Sequence, residues 1–171
     1  VKAAMDRLTE AVLQVYEVYY EIVEAEKYGS SSGWLPAWWP GRANAVQCDY
    51  IALISSEMVE RFFLESIIAE ARWLDRAIFH LDGPDAVRHL DILLAVPEIQ
   101  AIQWVPGAGA LPMTRWIPLL KRIQAAGKSL HLSVWPHEIQ TLLEELRPEG
   151  LMLKTHVHSE AEARDLLEKV A

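Results

Sequence analysis

The chain has 171 residues, of which 51% are hydrophobic, enough for one compact domain with a sizeable core and too apolar for a disordered chain. A formal charge of −8 argues against nucleic acid or an anionic membrane surface as the partner, and no apolar run reaches membrane-spanning length. The single cysteine, Cys48, cannot form an internal disulfide, so a reducing, cytoplasmic location is expected, and a start at Val1 rather than Met is expected of a piece of a longer chain.

Taken in chain order, residues 1–28 are predicted to form one helix. Met5, Leu8, Val12, Val15, Tyr19 and Ile22 recur at three- and four-residue steps as an apolar stripe. Gly29 to Gly33 is expected to end this helix as a flexible hinge, so that residues 1–33 form an N-terminal helix and hinge. Trp34 to Arg42 is a loop with three tryptophans and two prolines. It is expected to dock against another subunit or a missing part of the fold, or to act as a lid in which Arg42 pairs with a carboxylate. Strand and helix patterns then alternate. Strands are predicted at 49–54, 77–81, 101–105, 129–134 and 151–155, with helices at about 57–75, 84–94, 113–126, 136–146 and 159–170. Ser55 or Ser56 is the expected cap of the first of these helices, and Ser159 with Glu162 reads as a capping box for the last. Such alternation implies an α/β fold with parallel strands and right-handed crossovers. An open doubly wound sheet and a piece of a (β/α)8 barrel both satisfy it, and a whole barrel needs about 250 residues.

The most informative segment is Ala77 to Pro84. A short apolar run ends in His80-x-Asp82 and breaks at Gly83-Pro84. Side chains two apart on a strand share a face, so His80 and Asp82 point the same way at the carboxyl end of the strand. Parallel α/β folds place their chemistry there. Imidazole and carboxylate bind a divalent metal, and the same pair is equally consistent with a core histidine beside a helix-capping aspartate. His156 and His158 lie two apart near the end of the last strand, with His156 the better candidate. Gly107-Ala108-Gly109 after the third strand offers backbone amides to an anion, or a tight turn. Trp104 and Trp135 are placed to stack on a flat ligand or to pack. Asp49 reads as a buried carboxylate, with Tyr50 beside it as a hydrogen-bond donor. Cys48 is not expected beyond the end of any strand. His80, Asp82, Trp104, Trp135 and His156 are predicted to line one common cleft.

Gln47-Cys48-Asp49-Tyr50 through Ile54-Ser55-Ser56-Glu57-Met58, then Phe79 to Pro84, then Val105 to Gly109, in that order, resemble the uroporphyrinogen decarboxylase superfamily. That superfamily includes the decarboxylase and the cobalamin-dependent methyltransferases. The resemblance runs from about Trp34 to the C-terminus and implies the C-terminal portion of a (β/α)8 barrel over residues 34–171. It implies methyl transfer linked to a corrinoid carried by a partner protein, or tetrapyrrole decarboxylation without a cofactor. In the methyltransferase branch a His-x-Cys at this strand end and a further cysteine near the last strand hold a zinc. Here that carries over to His80, Asp82 and His156, with His158 the alternative, as catalytic ligands of zinc or another divalent metal. Arg42, Tyr50, Trp104, Gly107, Gly109 and Trp135 would then contact substrate. The superfamily's N-terminal strands have no counterpart in this sequence. The chain is therefore expected to be completed by a missing barrel half or a second copy, or to act as a non-catalytic interaction module.

Overall fold

The computed structural model describes residues 1–32, 34–107, 109 and 112–170. The long helix α1 spans Lys2–Ile22, and a four-residue helix α2 spans Ala25–Tyr28. The single helix expected over 1–28 is broken at Glu24, whose φ of 50° no right-handed helix accepts. Strands β1 (Ser30–Ser31) and β2 (Trp38–Trp39) form a small antiparallel pair. The segment expected to be a flexible hinge is thus held in place: Ser30 Oγ donates to the Gly41 carbonyl at 2.6 Å and accepts from the Ala43 amide at 2.7 Å. Gly33, the last residue of that expected hinge, lies outside the described residues.

Five parallel strands follow: β3 (Ala43–Gln47), β4 (Arg76–Asp82), β5 (Ile99–Val105), β6 (Ser129–Ser133) and β7 (Leu151–Lys154). The helices between them are α3 (Ser56–Met58) leading through a π-helical turn into α4 (Leu64–Trp73), then α5 (Leu90–Leu94), α6 (Ile117–Ala125) and α7 (Ile139–Glu145), with α8 (Glu160–Val170) last. Ser55 is the cap, accepting from the Met58 amide at 3.3 Å. Among the described residues the strand order is sequential, with no reversal of the kind a doubly wound sheet has at its switch point. No helix among the described residues is long and apolar enough to cross a membrane.

The first strand is not where the apolar run suggests. Residues 49–54, expected as a strand, form a 3-10 helix over Asp49–Leu53, and the strand is the weaker-looking Ala43–Gln47. The buried residues of the run, Ile51 and Ile54, lie three apart, which fits a 3-10 turn and not a strand. Ala43–Gln47 is held extended by its neighbour, with Val46 opposite Phe79. Cys48 consequently does lie just beyond the carboxyl end of a strand, a correction to its expected place. The expected helix over 84–94 divides into a 3-10 helix, Pro84–His89, and α5.

Each strand presents two different faces. Val46, Phe79, Leu81, Ile102, Trp104, Leu130 and Leu132 form one core with Ile67, Leu90, Leu93, Leu120, Ile123 and Leu142 from the helices. Sequential parallel strands with right-handed crossovers place their helices on one face of the sheet. The opposite face, towards which a sequential parallel sheet with its helices on the other side curls, is the concave face and carries the alternate residues. One row, level by register, reads Gln47, His80, Gln103, His131 and Met152. Ser32 and residues 35–39 cover the lower part of this face. Leu35 is buried there, and a cavity of about 220 Å³ remains between the loop and Ile78, Ala101 and Ser129.

Helix α1 docks on α4 with polar groups. Thr9 Oγ1 donates to Ser66 Oγ at 2.8 Å, Tyr16 Oη to Glu70 Oε1 at 2.7 Å, and Trp73 Nε1 to Glu17 Oε1 at 2.9 Å. Most of the predicted apolar stripe, Leu8, Val12, Val15, Tyr19 and Ile22, faces outwards.

Candidate functional site

Asp49, His80 and Asp82 bring one ligand atom each to within 4.8 Å of one another. Three elements assemble them. His80 and Asp82 lie two apart on β4 and share its concave face. Gln47 of β3 is level with His80, and the chain continues through Cys48 to Asp49, which therefore arrives beside Asp82. The 3-10 turn that begins with Asp49 is clamped from below. His89, fully buried, donates from Nε2 to the Ile51 carbonyl at 2.9 Å, and its Nδ1 lies 3.1 Å from Ser56 Oγ. The Arg88 guanidinium bonds the Ala52 carbonyl in the same turn.

The tautomer of His80 follows from its neighbours. Trp34 Nε1 carries a hydrogen and can only donate, so the Gln103 atom it meets at 3.2 Å is the oxygen. The same oxygen lies 2.6 Å from His80 Nδ1, and an oxygen acceptor requires that nitrogen to carry its proton. Nε2 is left with the lone pair, available to a metal or a proton. The Trp34 ring also stands edge-on to the His80 ring, with centroids 6.0 Å apart.

Neither carboxylate of the cluster has a cationic partner among the described residues. Asp49, expected as a buried carboxylate, is exposed, so water screens part of the repulsion between the two carboxylates, and a cation between them would relieve the rest. The donor set, two carboxylates and one imidazole, is that of a hard to borderline divalent ion such as Zn, Fe or Mn, and three protein ligands leave coordination positions open.

The other predicted residues are distributed more widely. His156, Trp135 and His158 line a different surface pocket together with His137, Glu162 and Lys169. The backbone amide of His158 donates to Glu162 at the start of α8, where Ser159 Oγ accepts from the Glu162 amide. Trp135 is 66% exposed. Trp104 does not face the concave side. It is buried on the helix side against Trp116, ring centroids 4.9 Å apart, because it follows Gln103 and strand neighbours point to opposite faces. The predicted common cleft therefore divides: His80 and Asp82 stay together, Trp135 and His156 pair elsewhere, and Trp104 belongs to the core.

Arg42 precedes β3 and lies at the opposite end of the strands from the cluster. It pairs with Glu17 at 3.2 Å and covers the Trp73 ring at 4.3 Å. Tyr50 is exposed, its ring tilted against Phe63. Gly107 and Gly109 both have positive φ in an exposed turn after β5, and Ala108 between them lies outside the described residues.

Gln103, His131 and Lys154 on the concave face were not singled out from the sequence. A signal existed for two of them. Gln103 interrupts an apolar strand, and Ser129-Leu130-His131-Leu132-Ser133 alternates polar and apolar at period two, as a strand with one non-apolar face does. His131 is 2% exposed with neither ring nitrogen hydrogen-bonded, and burial, with the Lys154 ammonium nearby, lowers its pKa from the ordinary 6.5.

No protein-family model matches this chain, and no curated protein matches it.

Proposed function

We propose that this chain is the metal-holding portion of a (β/α)8 barrel of uroporphyrinogen decarboxylase type, serving methyl transfer from a corrinoid carried by a partner protein. The observation that carries this reading is the Asp49–His80–Asp82 cluster at the carboxyl ends of β3 and β4, with both carboxylates uncompensated among the described residues. The sequential order of the five parallel strands is the order a barrel segment has, and supports it. A divalent ion there would supply positive charge that lowers the pKa of a methyl acceptor bound beside it. The protein's own part is to fix the His80 tautomer through Gln103, to hold Asp49 beside Asp82, and to leave coordination positions open.

Metal analysis of protein purified without chelator tests this. About one divalent ion per chain is expected, lost in His80→Ala and in Asp82→Ala. Stoichiometric metal that survives His80→Ala removes the site. Metal-free protein that decarboxylates a tetrapyrrole would favour the carboxy-lyase branch instead.

A second reading is favoured by a separate observation. Leu8, Val12, Val15, Tyr19 and Ile22 form an exposed stripe along α1 with alternating steps of four and three. Such a stripe is the seam by which a helix packs on another helix, and it suits a module completed by a second copy or by a further barrel portion. Sedimentation at several concentrations tests the second-copy version: a monomer throughout, unchanged by Val15→Glu, counts against it.

A further inference from the structure

The concave face has two electrically different ends. Asp49 and Asp82 stand at the β3–β4 end. At the β6–β7 end stand Ser133 and Lys154, level with each other by register, and His131 one row below. Asp82 is level with Val105 of β5, which places Lys154 in the same layer, three strands away. At the usual inter-strand spacing that is about 14 Å along the sheet.

Two observations mark the second end as unfinished. Both ring nitrogens of His131 are buried without a hydrogen-bond partner, although a neutral imidazole has one donor and one acceptor to satisfy. No carboxylate pairs with Lys154 among the described residues. Lys154 is half-buried and Ser133 is open to solvent, so a ligand approaching from the concave side meets these two before His131.

We propose that Lys154, Ser133 and His131 form a subsite for a ligand carboxylate, so that the molecule bound on this face carries a carboxylate at one end and its reacting group at the Asp49–His80–Asp82 end. Charge and donor count select a carboxylate over a phosphate. One ammonium and one hydroxyl on the open side, with the buried imidazole of His131 behind them, match a planar monoanion, whereas a phosphate dianion would keep a net negative charge on a face that already holds two carboxylates. The proposal rests on the reading of the concave face as the ligand face, but not on metal being bound there.

The test uses the chain freed of metal by a chelator and then dialysed, so that the result is independent of the metal cluster. Succinate is titrated while the imidazole proton signals of His131 are followed by NMR, with the neutral succinamide as control. Succinate is expected to shift His131 saturably and succinamide to leave it in place. Lys154→Met is expected to weaken succinate at least tenfold. Ser133→Ala, at an exposed position, is expected to weaken it by a smaller factor. A succinate shift that is absent, matched by succinamide, or unchanged in Lys154→Met overturns the subsite. Metal retained by His80→Ala would overturn the metal reading and leave this one standing.

Discussion

Gln103 Oε1 lies 2.6 Å from His80 Nδ1 and accepts a hydrogen bond from it, across the β4–β5 boundary where the two residues are level. A ligand histidine whose second nitrogen is held in this way keeps one tautomer and one ring orientation. Replacing Gln103 with Leu, similar in size and without the acceptor, is expected to weaken divalent metal binding by about 10- to 100-fold. Titration with Mn or Zn measures it, and unchanged affinity would show that His80 is oriented by something else.

Asp49 and His156 make a contrasting pair. Asp49 belongs to the cluster, while His156 lines the pocket with Trp135. Asp49→Asn is expected to reduce metal affinity at least tenfold, and His156→Ala to leave it within a factor of two, about 0.4 kcal/mol. The reverse ranking would move the metal to the end of β7.

His89 ties the Asp49 turn to the rest of the fold through Ile51 and Ser56. His89→Leu leaves a carbonyl and a hydroxyl without this partner, at a cost of about 1–3 kcal/mol for a buried group left unsatisfied. Urea unfolding should show the loss, and metal affinity should fall with it because Asp49 is no longer held beside Asp82. A variant that loses stability while binding metal normally would separate the two roles.

His131 predicts a pH dependence of stability. Burial, and then the neighbouring Lys154 charge, hold its pKa below the ordinary 6.5. Between that lowered value and 6.5 the unfolded chain takes up a proton that the folded chain refuses. Stability contributed by the neutral imidazole is therefore full above 6.5 and falls as pH is lowered below it, by at most about 1.4 kcal/mol per pH unit. Chemical denaturation between pH 7.5 and pH 5 should show a shallower slope in His131→Gln. Equal slopes would mean that the folded imidazole titrates as freely as the unfolded one.

The alternation of apolar runs with helical spacings determines a parallel α/β arrangement, because each pattern is local and its period is a property of the backbone. The shared face of His80 and Asp82 is legible for the same reason, as is the cap at Ser55. What the chain could not display locally is everything that depends on register. Ala43–Gln47 is a strand because Val46 lies against Phe79, while the more apolar run after it closes into a 3-10 turn on Ile51 and Ile54. Asp49 joins His80 and Asp82 only because Gln47 is level with His80, and a shift of one residue would turn the next side chain to the other face. That Trp104 turns to the helix-side core and Gln103 to the opposite face depends on the same phase. Periodicity determines which residues travel together on a face, but only the pairing of neighbouring strands decides which face meets the helices and which is left free of them.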